Sequence, residues 1–292
     1  MQIDVVIDVK TTLGEGPVWD VDQQRLYFID SFDGRVFRCT AEGGEVRSWD
    51  VPEKIGSIAI RKDGNGAICS LANGLHTLDF KTGEVELIHD PEPGKPKNRL
   101  NDGKVDRRGR FVVGSMDTME EGPNGALYRL DPDFKVTTLD TGIIVSNGPC
   151  WSPDDRIFYF ADTWSGEIWA YDYDIETGAV ANRRTFAKVD TSKGGAADGS
   201  TVDAEGYLWN ALVYDSKLVR YAPDGSVDRV IDMPVKKVTS VNFGGPDLDI
   251  LFVTSMAKPP LPRFPGDGVL RGSVFAIRGL GVRGVPEPRF GA

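Results

Sequence analysis

Short apolar runs separated by polar turns recur along this chain at nearly even spacing. The segments GPVWDVDQQRLYFID, SIAIRKDGNGAICS, DGKVDRRGRFVVGS, GPCWSPDDRIFYFAD, GSTVDAEGYLWNAL and VNFGGPDLDILFVTS each read as apolar run, turn, apolar run, the mark of a β-hairpin. Their turns begin at Asp20, Arg61, Asp106, Ser152, Asp203 and Gly245, at intervals of 41, 45, 46, 51 and 42 residues. A period of this size matches one propeller blade per repeat. A second series, GRVFRCT, GLHTLDF, GALYRLD, GEIWAYD, SKLVRYA and GSVFAIR, supplies a third strand to each repeat. EVRSWDV, EVELIHD, KVTTLDT, NRRTFAK and SVDRVIDM supply a fourth strand to the first five. The sixth repeat lacks one, while IDVVIDV stands unassigned ahead of the first. The pattern therefore predicts an all-β, six-bladed β-propeller with four antiparallel strands per blade, a single domain over residues 1–292 whose N-terminal strand closes the last blade. Helix competes poorly, because Gly and Pro interrupt almost every candidate 3.6-residue period. A β-sandwich is the architectural alternative, but sandwiches rarely repeat this evenly.

Closing the ring gives meaning to one register. Five residues ahead of each turn stand Glu15, Gly56, Asn101, Asn147, Asp198 and Ser240. First strands line a propeller's channel, so residues at their starts converge on one mouth. A single Asp or Asn at a strand start usually bonds nearby backbone amides. Four amide or carboxylate side chains in one register are a different matter, since a carboxylate pair near an axis is costly without a cation or protons. Glu15, Asn147 and Asp198 together offer two charges and one amide oxygen, a set suited to one divalent metal ion: calcium, magnesium or manganese, with zinc admissible. Gly56 and Ser240 read as small residues that leave the mouth open. Both histidines, His76 and His89, fall on outer strands, which speaks against a histidine-based pair.

Composition narrows the partners. The chain has 292 residues, 40% hydrophobic and 27% charged, and a net charge of −10, so it reads as a soluble globular protein without the basic patches that nucleic acid or an anionic membrane requires. MQIDVVIDVK alternates too quickly for a signal peptide and no stretch is long enough to span a bilayer, so the cytoplasm is the expected location. Cys39, Cys69 and Cys150 lack metal-type spacing and read as core residues. Asp172, Asp174 and Glu176 lack the glycine and distal glutamate of a calcium loop and read as a solvated turn. Counting from register residue to third strand gives 19, 18, 24, 19, 18 and 32 residues, so the third and sixth blades carry insertions, Asp117 to Asn124 and Met256 to Arg271, on the face of the mouth.

Several of these stretches are similar to the regucalcin, gluconolactonase and luciferin-regenerating enzyme family of six-bladed propellers. They are LGEGPVW around Glu15, NRLNDGKVDRRGRF around Arg99 and Asn101, SNGPCWSPD around Asn147, and ADGSTVDAEGYLW around Asp198, with FGGPDLDILFVTS and GSVFAIRGLGVRG near the end. The resemblance covers nearly the whole chain. It implies metal ligands at Glu15, Asn147 and Asp198, proton transfer by Asp198, and sugar contacts at Arg99 and Asn101. The sequence departs from the family at one position: an acidic substrate contact expected in the third-blade loop falls, by ungapped counting, on Met119 rather than on Glu120 or Glu121, so Met119 and Glu120 are both candidates. The implied activity is metal-dependent hydrolysis of a sugar lactone to the open acid. The alternatives are calcium-dependent hydrolysis of a phosphotriester, for which Arg99 and Asn101 have no evident purpose, and calcium binding without turnover.

Overall fold

The computed structural model describes residues 1–259 and 267–292, apart from the side chain of Lys193. Its strands, numbered β1 to β24 in chain order, form six four-stranded antiparallel sheets. The innermost strands are β2 (Gly14–Asp20), β6 (Ile55–Ile60), β10 (Asn98–Val105), β14 (Ser146–Trp151), β18 (Ala196–Val202) and β22 (Val238–Gly244). They touch in that order, and β22 returns to β2, so the ring is closed. The sixth sheet is completed by β1 (Gln2–Ile7), whose residues Gln2 to Ile7 pair antiparallel with Arg278 to Val274 of β24 (Val274–Arg278). Every strand that the alternation predicts is present, including this closure.

The core lies between blades. Alternate residues of each sheet face opposite neighbours: Val36 of the first blade packs with Ile58 and Ile60 of the second, while Phe28 and Phe37 pack with Phe252 and Val274 of the sixth. A strand thus reads as nearly continuous apolar sequence, because both of its faces are buried. Cys39, Cys69 and Cys150 are free and buried in these interfaces, and burial pushes each thiol up to about 12. No helix among the described residues is long and apolar enough to cross a membrane.

One local feature prepares the site. All six innermost strands carry a register irregularity at or beside the residue singled out above: Glu15/Val18, Ile55/Ser57, Leu100/Gly103, Asn147/Cys150, Ala197/Ser200 and Val238/Val241. An irregularity of this kind bends a strand and re-aims its side chains. Gly16 and Gly148, at φ +53 and +60, provide the left-handed backbone that follows Glu15 and Asn147. Gly56 has a different reason. A Cβ there would lie 2.5 Å from the Asn101 Cα, so the residue is glycine because two strands approach closely, not to leave the mouth open. Ser240 likewise fills space, packed against Gly199.

Candidate active site at the channel mouth

The innermost strands deliver Glu15, Arg99, Asn101, Asn147 and Asp198 to one open pocket. Glu120, Trp164, Tyr214 and Met256 line its outer wall. Glu120 and Met256 come from the two insertions, of which residues 260–266 lie outside the described residues.

Asn101 connects the polar groups. Its Oδ1 accepts from Arg99 NH1 at 2.6 Å, while its Nδ2 donates to the Ser146 carbonyl at 2.7 Å and to Asn147 Oδ1 at 3.1 Å. Asn147 donates its own nitrogen to Thr163 Oγ1 at 2.8 Å, which turns its amide oxygen toward the pocket. Asn101 is thereby engaged on both sides, so it orients Arg99 and Asn147 besides reaching the pocket itself.

The carboxylates are barely compensated. Asp198 is 6% exposed, and Glu15 accepts only a long bond of 3.3 Å from the Gly16 amide. Among the described residues neither has a cationic partner within 4.0 Å. Burial raises both well above the ordinary carboxylate range; beyond burial, the Asp198 charge raises Glu15 and the Asp102 charge raises both. Arg99 is pulled down, first by burial, with Glu120, Glu15 and Asp198 opposing. Two desolvated carboxylates beside an oriented amide oxygen fit a hard divalent cation. Among the described residues no three His, Cys, Asp or Glu side chains converge to hold a metal by themselves, so the set depends on the Asn147 oxygen.

The third-blade loop answers the choice between neighbours. Met119 is 46% exposed and stays outside the pocket, whereas Glu120 lines it and accepts from Trp164 Nε1 at 2.7 Å. The cause is a turn: Asp117 accepts from the amides of Met119 and Glu120, and Glu120 takes φ +57, which reverses the chain. Residue counting cannot see that reversal, which leaves Met119 off the pocket lining. Sequence reasoning also missed Asp102, whose two oxygens accept from the Gly103 and Gly148 amides at 2.8 Å each. It pins the irregularity that carries Asn147. Its place beside Asn101 was the available signal; Trp164 and Tyr214 offered none.

Residues 13–257 match the family model described as the SMP-30/Gluconolactonase/LRE-like region. The chain belongs to this family. It is 34% identical to regucalcin of Xenopus laevis, over 99% of this chain and 98% of that one. It is also 34% identical to the 6-deoxy-6-sulfogluconolactonase of Pseudomonas putida, over 98% and 97%. The solved structure of a calcium-binding protein, regucalcin, from Agrobacterium tumefaciens superposes with a TM-score of 0.89 at 28% identity, covering 98% of this chain and 96% of that one. The span that matches the SMP-30/gluconolactonase family contains every residue lining the mouth.

Proposed function

We propose that this protein is a cytoplasmic, divalent-metal-dependent lactonase that opens a sugar (aldono)lactone, such as gluconolactone or a related pentono- or hexonolactone, to its acid. The observation that carries this reading is the pair of uncompensated carboxylates, Glu15 and Asp198, facing the same pocket as Arg99. The relative named for a gluconolactone derivative supports the substrate class, and the one described as calcium-binding supports a metal. Glu15, Asn147 and Asp198 would hold one divalent ion, calcium, zinc, magnesium or manganese, which when bound polarises a carbonyl and acidifies water.

The remaining steps belong to the chain. Hydrolysis adds water to the lactone carbonyl and breaks the ring ester, so one proton must leave the water and one must reach the departing oxygen. Asp198, whose carboxylate faces the pocket, takes the first and returns it to the departing ring oxygen. Arg99, almost fully buried, keeps its protons and donates hydrogen bonds to the ring ester or the sugar hydroxyls, and Asn101 fixes its direction. Glu120 offers a carboxylate to a sugar hydroxyl from the opposite wall.

Acid release from gluconolactone, galactonolactone, xylonolactone and arabinonolactone, corrected for spontaneous opening, tests the reading. Turnover of at least one lactone, lost in Asp198→Ala with the fold retained, is expected. Metal binding with no acid release from any of the four would instead support a calcium-binding protein without turnover.

A further inference from the structure

Away from this mouth, blade one carries a charge arrangement that blade five resolves and blade one does not. Arg38 of β4 (Arg35–Cys39) stands directly opposite Arg47 of β5 (Arg47–Asp50), as Arg220 of β20 (Lys217–Tyr221) stands opposite Arg229 of β21 (Val227–Asp232). Like charges directly opposite across an antiparallel pair are destabilising. Blade five compensates: Arg220 meets Asp203 at 2.7 Å, Glu205 at 2.6 Å and Asp228 at 2.9 Å, and Arg229 donates to the Leu280 carbonyl at 3.0 Å.

In the repeat register, the blade-one counterparts of those three acids are Asp20, Asp22 and Val46. Arg289, from the C-terminal segment, takes Asp20 at 2.8 Å and Asp22 at 3.0 Å. Val46 carries no charge and is 48% exposed. Among the described residues neither Arg38 nor Arg47 has a carboxylate within 4.0 Å. The Arg38 Nε is buried without a hydrogen-bond partner, while the guanidinium lies 6.0 Å from the Trp49 ring centroid and faces the Tyr27 hydroxyl, which donates to Gln23 Oε1 at 3.0 Å and is free to accept from Arg38. The facing Arg38 and Arg47 guanidiniums are thus left without the carboxylates that separate and balance their blade-five counterparts.

Both arginines line an open groove between blades one and two, with Trp49, Arg61 and Lys81 on its walls. Its two carboxylates are already bonded, Asp63 to Arg61 of the same wall at 2.8 Å and Asp79 to the Lys81 and Thr82 amides at 2.8 Å each, and they stand against four cationic side chains, Arg38, Arg47, Arg61 and Lys81. The groove is therefore cationic in a chain whose net charge is −10. We propose that it is a binding site for a small multivalent oxyanion, a phosphate-bearing or polycarboxylate molecule, held between the Arg38 and Arg47 guanidiniums. Guanidinium groups match the planar or tetrahedral oxygens of such anions through paired hydrogen bonds.

Calorimetric titration with inorganic phosphate and, separately, malonate, at constant ionic strength, tests this and tells the two anion types apart. Saturable binding of at least one is expected. Arg47→Gln alters an exposed side chain, and Val46→Asp supplies the acid that blade five has in Asp228. Each should weaken binding by about tenfold or more while lactone hydrolysis is unchanged. No saturable binding of either anion, or binding that both variants keep, would overturn the proposal.

Discussion

The two ends of the innermost strands treat buried carboxylates in opposite ways. At the far end, Asp20, Asp106 and Asp203 are at most 4% exposed, and each is met by an arginine: Arg289 at 2.8 Å, Arg110 at 2.6 Å and Arg220 at 2.7 Å. Asp106 also accepts from the Tyr173 hydroxyl at 2.6 Å, and Asp203 from Trp209 Nε1 at 2.9 Å. At the mouth, Glu15 and Asp198 have neither arginine nor lysine within 4.0 Å among the described residues. The same repeat therefore supplies matched acids at one end and unmatched acids at the other. Since the fold is able to place an arginine beside such a group, the unmatched pair is the feature on which the proposed cation site rests.

The largest effect is expected from Asp198→Asn, which removes the proposed base and, wherever the carboxylate is ionised, one charge. Turnover should fall on the order of 10²–10⁴-fold, while the metal-free variant should melt at a higher temperature than metal-free wild type, because an uncompensated buried charge is gone. A lower melting temperature would place Asp198 with the matched, structural acids. Asp203→Ala should do the reverse. Stranding Arg220 and Trp209 should cost about 3–5 kcal/mol in urea unfolding, with the metal response of the folded fraction kept. Next comes Asn101→Ala, which frees both Arg99 and Asn147; kcat/KM and metal affinity should each fall about 10–100-fold, and a change in kcat/KM alone would separate Asn101 from the metal.

The smallest effect concerns pH. Glu15 and Asp198 have folded-state values raised above the ordinary 4.5 and 3.8, so the folded chain retains protons there that the unfolded chain releases. That contribution to stability is full below the ordinary values and is lost as pH rises through the raised ones. The melting temperature of metal-free protein should accordingly decline as pH rises from the ordinary values through the raised ones, relative to Glu15→Gln/Asp198→Asn, and added metal should remove the decline. Parallel curves for the two proteins would show that these carboxylates do not titrate differently on folding.

The fold was legible because each blade restates it. Six hairpin segments, six third strands and a spare N-terminal strand leave little freedom, and β1 against β24 closes the ring as the count requires. The register of mouth residues was legible for the same reason, since equal distance from a turn means equal height in the channel. Legibility ended where backbone deviates locally or blades meet. The αL turn at Glu120 exchanged Glu120 for Met119, and the close approach of Asn101 to Gly56 gave glycine a packing reason that no single repeat displays. Asp102 was hidden because its partner amide, Gly148, belongs to the next blade.

Calorimetric titration of chelator-stripped protein with calcium and with zinc, comparing wild type and Glu15→Gln, tests the unmatched acids most directly. One binding site per chain for at least one of these ions is expected, strongly weakened in the variant. No binding by either ion, or binding that Glu15→Gln leaves unchanged, would contradict the assignment of the mouth as a cation site.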